Sequence, residues 1–424
     1  MRGGDGDKSR ATRRDFLGAT AGMAAAAGSS FALPARALDA GSAATTEPFF
    51  GAHQSGIVTS PQTHTYFAAY DLKADKREDV VKTFRRWTEA AALLTEGLPV
   101  DLRAEGQYQE TPDPADALGL SPSRLTLTFG FGPGLFVKDG RDRYGLLARR
   151  PEAFVDLPQF SNDQLAPART GGDLSIQACA DNPQVAFHAI RQLSRIAIDL
   201  AEIRWAQTGF ISDYGQGKTP RNLMGFKDGT GNPSTDSAYE MDAVVWAGEE
   251  APAWMRGGSY LVVRRARMAL EHWDLTKVSE QEKAFGRKKL TGAPLGADHE
   301  YDAIDLAATD RNGDPVIPEN SHIRLAHEAA MAGSRVLRRS YSYNDGANVT
   351  TEPWPPYREG MEFDAGLLFM CYQRDTRNGF IKIFDKLSRL DKMNQFVSHT
   401  GGGHFACPGG IAKGEYVGQR LFEA

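Results

Sequence analysis

Cysteine is scarce: Cys179, Cys371 and Cys407 are the only three in 424 residues. So few thiols exclude a disulfide framework, and no two are spaced like the ligands of a structural metal site. Cys179 and Cys371 lie in apolar, strand-like runs and read as core residues. Basic residues are in the minority, 49 Lys and Arg against 54 Asp and Glu. Phosphate binding wants a basic face, so nucleic acid is not an expected partner. After the N-terminal region no apolar run approaches the about 20 residues that a membrane helix needs. Hydrophobic residues still make up 41% of the chain, enough for a sizeable core in two or three domains.

The first 37 residues are a separate object. A polar start leads into Thr12-Arg-Arg-Asp-Phe-Leu17, then an Ala/Gly-rich run to about Ala27, then Ala35-Arg-Ala37 as a small-x-small cleavage site. This order reads as a twin-arginine export signal, because the run is too short and too weakly apolar to anchor in a bilayer. Its removal leaves 43 basic against 51 acidic residues, a net charge of about −8, in a protein placed in the periplasm or the medium. Residues 38–48 form a small-residue linker, and Phe49-Phe-Gly-Ala-His-Gln-Ser-Gly-Ile-Val-Thr59 opens the folded body.

The period of the apolar residues then gives the order of elements. Tyr66–Leu72 reads as a strand, and residues 79–96 place Val80, Phe84, Trp87, Ala91 and Leu94 on one helix face. Leu125–Phe129 alternates as a strand, and the Gly130-Phe-Gly-Pro-Gly-Leu135 that follows is a turn, since it lacks the Lys-Ser/Thr ending of a phosphate loop. Asp173–Cys179 is a further strand, Asp181-Asn-Pro183 starts a helix carrying Ile190, Leu193, Ala197 and Leu200, and Arg204–Phe210 completes the set. Strand, helix, strand, strand, helix, strand is the ferredoxin-like α+β order. The second half repeats it more loosely, with strands at Ser259–Arg264, Arg335–Tyr343 and Gly366–Tyr372. Ser279-Glu-Gln-Glu282 reads as a capping box ahead of a helix, residues 286–320 as a long loop, and Phe380, Phe384 and Leu387 as one face of a late helix.

One stretch stands apart: Thr219-Pro-Arg-Asn-Leu-Met-Gly-Phe-Lys-Asp-Gly-Thr-Gly-Asn-Pro233 holds a single acid, Asp228, among glycines, with prolines near both ends. Pro220 and Pro233 stop a helix or central strand, while the glycines permit close approach of a flat ligand. The same residues are also good turn formers. Four further blocks decide between the two readings: Gly56-Ile-Val-Thr59, His322-Ile-Arg-Leu-Ala326, Arg335-Val-Leu-Arg-Arg-Ser-Tyr-Ser-Tyr343 and His399-Thr-Gly-Gly402.

With Gly225-Phe-Lys-Asp-Gly229 as a Gly-x-x-Asp-Gly signature, these blocks occur in the order found in dye-decolorising haem peroxidases, and from about residue 48 onward the chain resembles that family. The resemblance implies two ferredoxin-like halves, residues 49–215 and 216–424, with the haem in the second. It implies one haem b per chain, held by His322 as the proximal iron ligand. Arg324 is a candidate contact for a haem propionate or a plain helix-surface arginine. His327 is a further candidate contact, although related sequences often continue with Asn-Pro-Arg where this chain has His327-Glu-Ala329. Gly229, Thr230 and Gly231 would pack on the porphyrin. Whether Asp391, Asn394 or neither holds the other nitrogen of the proximal imidazole is left open by the sequence.

On the opposite haem face, peroxide must lose a proton from one oxygen and regain it on the other, a task for Asp228. An aspartate side chain stays ionised at mildly acid pH, where histidine is protonated, so an acid optimum is expected. Arg338 matches the family's distal arginine, suited to an oxyanion by its charge and fork, and Ser340 would line the same pocket. Tyr341, Tyr343 or Trp254 would relay electrons from bulky reductants, against the ordinary role of aromatic residues as core.

The function implied is oxidation of dyes, phenols or other reductants by hydrogen peroxide through an oxoferryl intermediate. The alternative is a haem-handling deferrochelatase that releases iron from haem, because the resemblance runs to exported, iron-transport-associated members of the family. Its partners are then hydrogen peroxide, a reducing substrate and, in the alternative, components of iron uptake; a homo-oligomer is one option for its assembly. The signal generates a prediction of its own. Replacing Arg13 and Arg14 together with lysine traps the precursor in the cytoplasm, as fractionation and immunoblotting would show, and undiminished export of that variant would refute the twin-arginine assignment.

Overall fold

The computed structural model describes residues 46–101, 113–212, 218–351 and 359–423. The proposed export signal, residues 1–37, and nearly all of the proposed linker lie outside these. Among the described residues no helix is long and apolar enough to cross a membrane.

The first half runs β1 (His64–Leu72), α1 (Arg77–Thr95), β2 (Thr126–Phe131), β3 (Leu174–Ala180), α2 (Pro183–Ile196) and β4 (Ala201–Phe210). All pairings are antiparallel and the strand order is β2-β3-β1-β4, the ferredoxin-like arrangement. Asn182 caps α2 by accepting from the Gln184 amide at 2.9 Å, with Pro183 in the first turn. The apolar faces of α1 and α2 meet the sheet in one core, where Trp87 is fully buried and donates its indole N–H to the Leu193 carbonyl at 2.7 Å.

The second half repeats the order with β5 (Ser259–Met268), β7 (Tyr341–Thr351), β8 (Glu359–Gln373) and β9 (Val397–Cys407), arranged β9-β5-β8-β7. A two-residue strand, β6 (Leu337–Arg338), pairs with the same β8. Two single pairs, Phe131 with Ala406 and Phe210 with Ser342, close the two sheets on each other. Side chains alternate along each strand, so Leu261 and Val263 of β5 enter the core between the sheets while Val262 joins the cluster on the outer face. The inner core also takes Phe67, Trp205, Leu368 and Phe405. All three cysteines are free and buried.

The fold class is the one expected, and two local readings are corrected. Ser279–Glu282 lies inside the helix α3 (Val278–Phe285) rather than ahead of it: Lys277 takes the cap position, and Glu282 instead accepts the Lys289 amide just past the helix. The single strand expected over Arg335–Tyr343 is broken after Arg338, because both the N–H and the C=O of Arg338 are claimed by the side chain of Asn232. The strand β9 carries a run of three glycines that weakens its strand signal. Those glycines are required, since a Cβ at Gly402, where φ is +146°, would meet the Val263 carbonyl oxygen at 2.0 Å.

Candidate active site

The loop 218–233 is held by its own side chains before it presents Asp228. Asn222 accepts from the amides of Met224 and Phe226, closing a tight turn around Gly225, whose φ of +85° suits glycine. Arg221 donates to the carbonyls of Gly225, Lys289 and Leu290, and the Asp228 amide donates to the Pro220 carbonyl at 2.9 Å. The long segment 286–320 clamps the same loop from outside. The carboxylate of Glu300, 9% exposed, accepts from Thr219, Lys227 and Thr230, and these donors pull its pKa down against the opposing effect of burial.

Asp228 faces Arg338, with Nη1 to Oδ1 at 3.2 Å. Arg338 is further held by Asn232, whose Oδ1 accepts from the Arg338 amide at 3.1 Å and from Nε at 3.2 Å, while its Nδ2 donates to the Arg338 carbonyl at 2.8 Å. Asp228, Gly229, Asn232, Arg338 and Ser340 line one cleft of about 290 Å³, with Leu367 of β8 on its wall. The Ser340 hydroxyl in this cleft is buried without a hydrogen-bond partner among the described residues. Gly229, at φ +124°, and Gly231 leave open room, since a Cβ on either would find only Thr219 at 3.7 Å or Arg338 at 3.8 Å.

His322 opens the short helix α4 (His322–Ala326). Its Nδ1 lies 2.6 Å from Oδ2 of Asp391, whose side chain is 4% exposed and whose Oδ1 accepts the Met393 amide. Burial alone would lower the proton affinity of the imidazole, but the charge and hydrogen bond of Asp391 outweigh it and raise the pKa. Arg338 lowers it and Asp228 raises it, so both lie within electrostatic reach of the imidazole. The two sides share an aromatic support: Phe226 of the Asp228 loop stacks on Phe285 at 3.9 Å, and Phe285 meets the His322 ring edge-on at 6.3 Å.

The structure thus brings together Asp228, Gly229, Gly231, Arg338, Ser340 and, within electrostatic reach, His322. Other candidates are engaged elsewhere. Thr230 gives its hydroxyl to Glu300. The Arg324 guanidinium donates to the carbonyls of Ile317 and Leu306, fastening the end of the long segment. His327 accepts the Ala329 amide and caps the turn after α4. Asp391, not Asn394, is the acid on His322; Asn394 donates to the carbonyls of Leu387 and Ser388 at the end of the helix α5 (Lys382–Leu390). Tyr341, Tyr343 and Trp254 are all buried. Asn232 and Glu300 are additions; Asn232 reads as a turn residue in sequence, and nothing local points to its contact with Arg338.

The donor set fits haem. An imidazole with a carboxylate behind Nδ1 has Nε2 available for iron, the glycine surface leaves room for a flat ring, and an orphaned hydroxyl waits in the cleft beside a cation and an acid. Comparison with known proteins agrees with that chemistry. Residues 54–211 match the model of the Dyp-type peroxidase N-terminal domain, and residues 219–412 that of the C-terminal domain. A deferrochelatase of Escherichia coli K12 is 38% identical over 392 residues, covering 88% of this chain and 87% of that protein. A DyP-type peroxidase from Streptomyces coelicolor is 40% identical, with a TM-score of 0.80 over 89% of this chain and 97% of the other. Ferric DtpA from Streptomyces lividans gives the same identity, score and coverage. With both of its halves matched and relatives aligned over nearly their full length, the chain belongs to the Dyp-type peroxidase family.

Proposed function

We propose that this peroxidase binds one haem b per chain in its C-terminal half, residues 216–424, with His322 as the iron ligand and Asp228 and Arg338 acting on peroxide. Residues 49–215 form the N-terminal half, and residues 1–37 direct the protein out of the cytoplasm. The observation that carries the reading is the two-sided arrangement of His322 on Asp391 and Asp228 on Arg338. The Streptomyces lividans relative, known in ferric and oxyferrous states, supports the same cofactor.

When bound, haem supplies the redox chemistry, accepting oxidising equivalents from hydrogen peroxide and passing them to dyes, phenols or other reductants. The residues of the chain do the rest. Asp391 accepts from Nδ1–H of His322, which fixes the tautomer and directs Nε2 to the metal. Asp228 takes the proton from one peroxide oxygen and returns it to the other. Arg338 donates to the oxygen that gathers negative charge, and its side chain and that of Asp228 are both partly buried in the cleft. Asn232 holds Arg338 by its backbone and Nε, so its stem does not wander.

The second reading, release of iron from haem, rests on the name deferrochelatase carried by curated relatives of 38–39% identity. It uses the same haem site and has no need of Asp228 or Arg338 as peroxide-handling groups.

The ligand assignment is checked by absorption spectroscopy. His322→Ala loses the Soret band or the haem itself, whereas His53→Ala and His272→Ala keep both, and a normal histidine-ligated spectrum in the His322 variant would overturn the assignment. The distal roles are checked by stopped-flow mixing of haem-loaded protein with peroxide. Arg338→Leu slows the Soret change by about 10²-fold or more while haem binding survives. Asp228→Asn lowers turnover by about 10² to 10⁴-fold and alters the acid limb of the pH profile. Wild-type rates in both variants would remove these roles, and a wild type inert to peroxide across about pH 4 to 7 would favour iron release.

A further inference from the structure

An arginine opposite a carboxylate in a partly buried cleft has a preferred resting place, the two-pronged pair in which two N–H groups meet two carboxylate oxygens. Between Asp228 and Arg338 that pair would engage both groups with each other and leave neither for a ligand. The structure shows something else. Only Nη1 of Arg338 reaches Asp228, at 3.2 Å, and only to Oδ1. With Nη1 on Asp228 the second prong could come only from Nη2, yet Nε on the far side of the guanidinium is bound to Oδ1 of Asn232 at 3.2 Å, which fixes the plane of the group, and Nη2 has no hydrogen-bond partner among the described residues.

The orientation of the Asn232 amide is fixed by its partners. The Arg338 amide and Nε can only donate and the Arg338 carbonyl can only accept, so Oδ1 must face the first two and Nδ2 the third. Asn232 is itself immobilised. Its amide donates to the Gly229 carbonyl at 2.9 Å, and the buried Pro233 behind it restricts its backbone to extended angles. The Asp228 loop therefore carries both the acid and the device that holds the arginine at arm's length from that acid.

We propose that Asn232 is a positioning residue that prevents Arg338 from closing on Asp228 and so keeps Nη2 free for the anionic oxygen of a ligand in the cleft. The inference rests on the haem-peroxidase reading of this cleft, but its test separates the two. Fluoride, a small anion that binds ferric haem without turnover, reports on the free N–H of Arg338 whether or not the protein reduces peroxide. In haem-loaded Asn232→Ala, fluoride affinity falls by about 10-fold or more, the scale of one lost hydrogen bond to a charged group, and the reaction with peroxide slows by on the order of 10- to 10²-fold.

The double variant Asn232→Ala with Arg338→Leu is no worse than Arg338→Leu alone, because a residue acting through the arginine has nothing to position once it is gone. Asn232→Asp places a carboxylate against Nε, whose second oxygen and charge draw Nη2 into a two-pronged pair, and lowers fluoride affinity at least as far as the alanine variant does. Wild-type fluoride affinity in Asn232→Ala, or losses that add in the double variant, would overturn the proposal. If the alanine variant does not take up haem, wild-type fluoride affinity in Asn232→Asp overturns it instead. A wild type that binds fluoride normally yet ignores peroxide would contradict the peroxidase reading and leave the fluoride test of Asn232 decisive.

Discussion

A buried carboxylate against one nitrogen of an imidazole is the contact on which the site depends. Asp391 has a side chain 4% exposed, and a carboxylate so placed is costly unless it is paired and hydrogen-bonded. His322 and the Met393 amide supply the partners. The consequence is directional: with Nδ1 fixed on Asp391, Nε2 is the nitrogen left for a metal. The backbone is held to match, since the Asp391 amide donates to Leu387 at the end of α5 and the Lys392 amide donates to Asn320, two residues before the histidine. The end of the long segment, the start of α4 and the end of α5 are thereby fastened at one point.

The two halves of the fold share one strand order and differ in what they insert into it. In the first half the helices α1 and α2 cover the sheet with a continuous apolar core. In the second, the chain between β5 and β7 carries α3, the segment 286–320 and α4 before returning to the sheet, and this excursion brings Glu300 to the Asp228 loop and His322 to Asp391. The Asp228 loop itself precedes β5, so the acid and the imidazole come from segments about ninety residues apart in sequence. Their common support is the stack of Phe226 on Phe285, with Phe285 edge-on to His322. Repetition of a simple fold gives the frame, and one elaborated connection gives the chemistry.

How much of this was legible in the sequence follows from the range of the interactions. Strand alternation and helical period are local, so β1, α1, β3 and α2 were readable to within a few residues. The Asp228 loop was readable because glycine and proline leave local marks, and His322 and Arg338 because they stand within blocks that resemble a family. The identity of the acid on His322 was not, because Asp391 and Asn394 sit in one short turn and only their partners, 69 and 7 residues away, tell them apart. The roles of Arg324 and His327 likewise turn on backbone groups that three-dimensional structure alone brings near. Asn232 was hidden by being ordinary: an asparagine before proline is good turn chemistry, and nothing local says that its side chain reaches 106 residues onward to Arg338.

In the proposed site Asp391 acts on the metal through His322 rather than merely filling space behind it. The most direct measurement is the ferric/ferrous reduction potential of haem-loaded Asp391→Asn against wild type, taken with the iron–histidine stretching frequency. A carboxylate accepting from Nδ1–H makes the imidazole a stronger donor and stabilises the ferric state. Its loss is therefore predicted to move the potential to a more positive value and the stretch to a lower frequency, with the histidine still bound. An unchanged potential and an unchanged stretch in a variant that still holds haem would contradict the account.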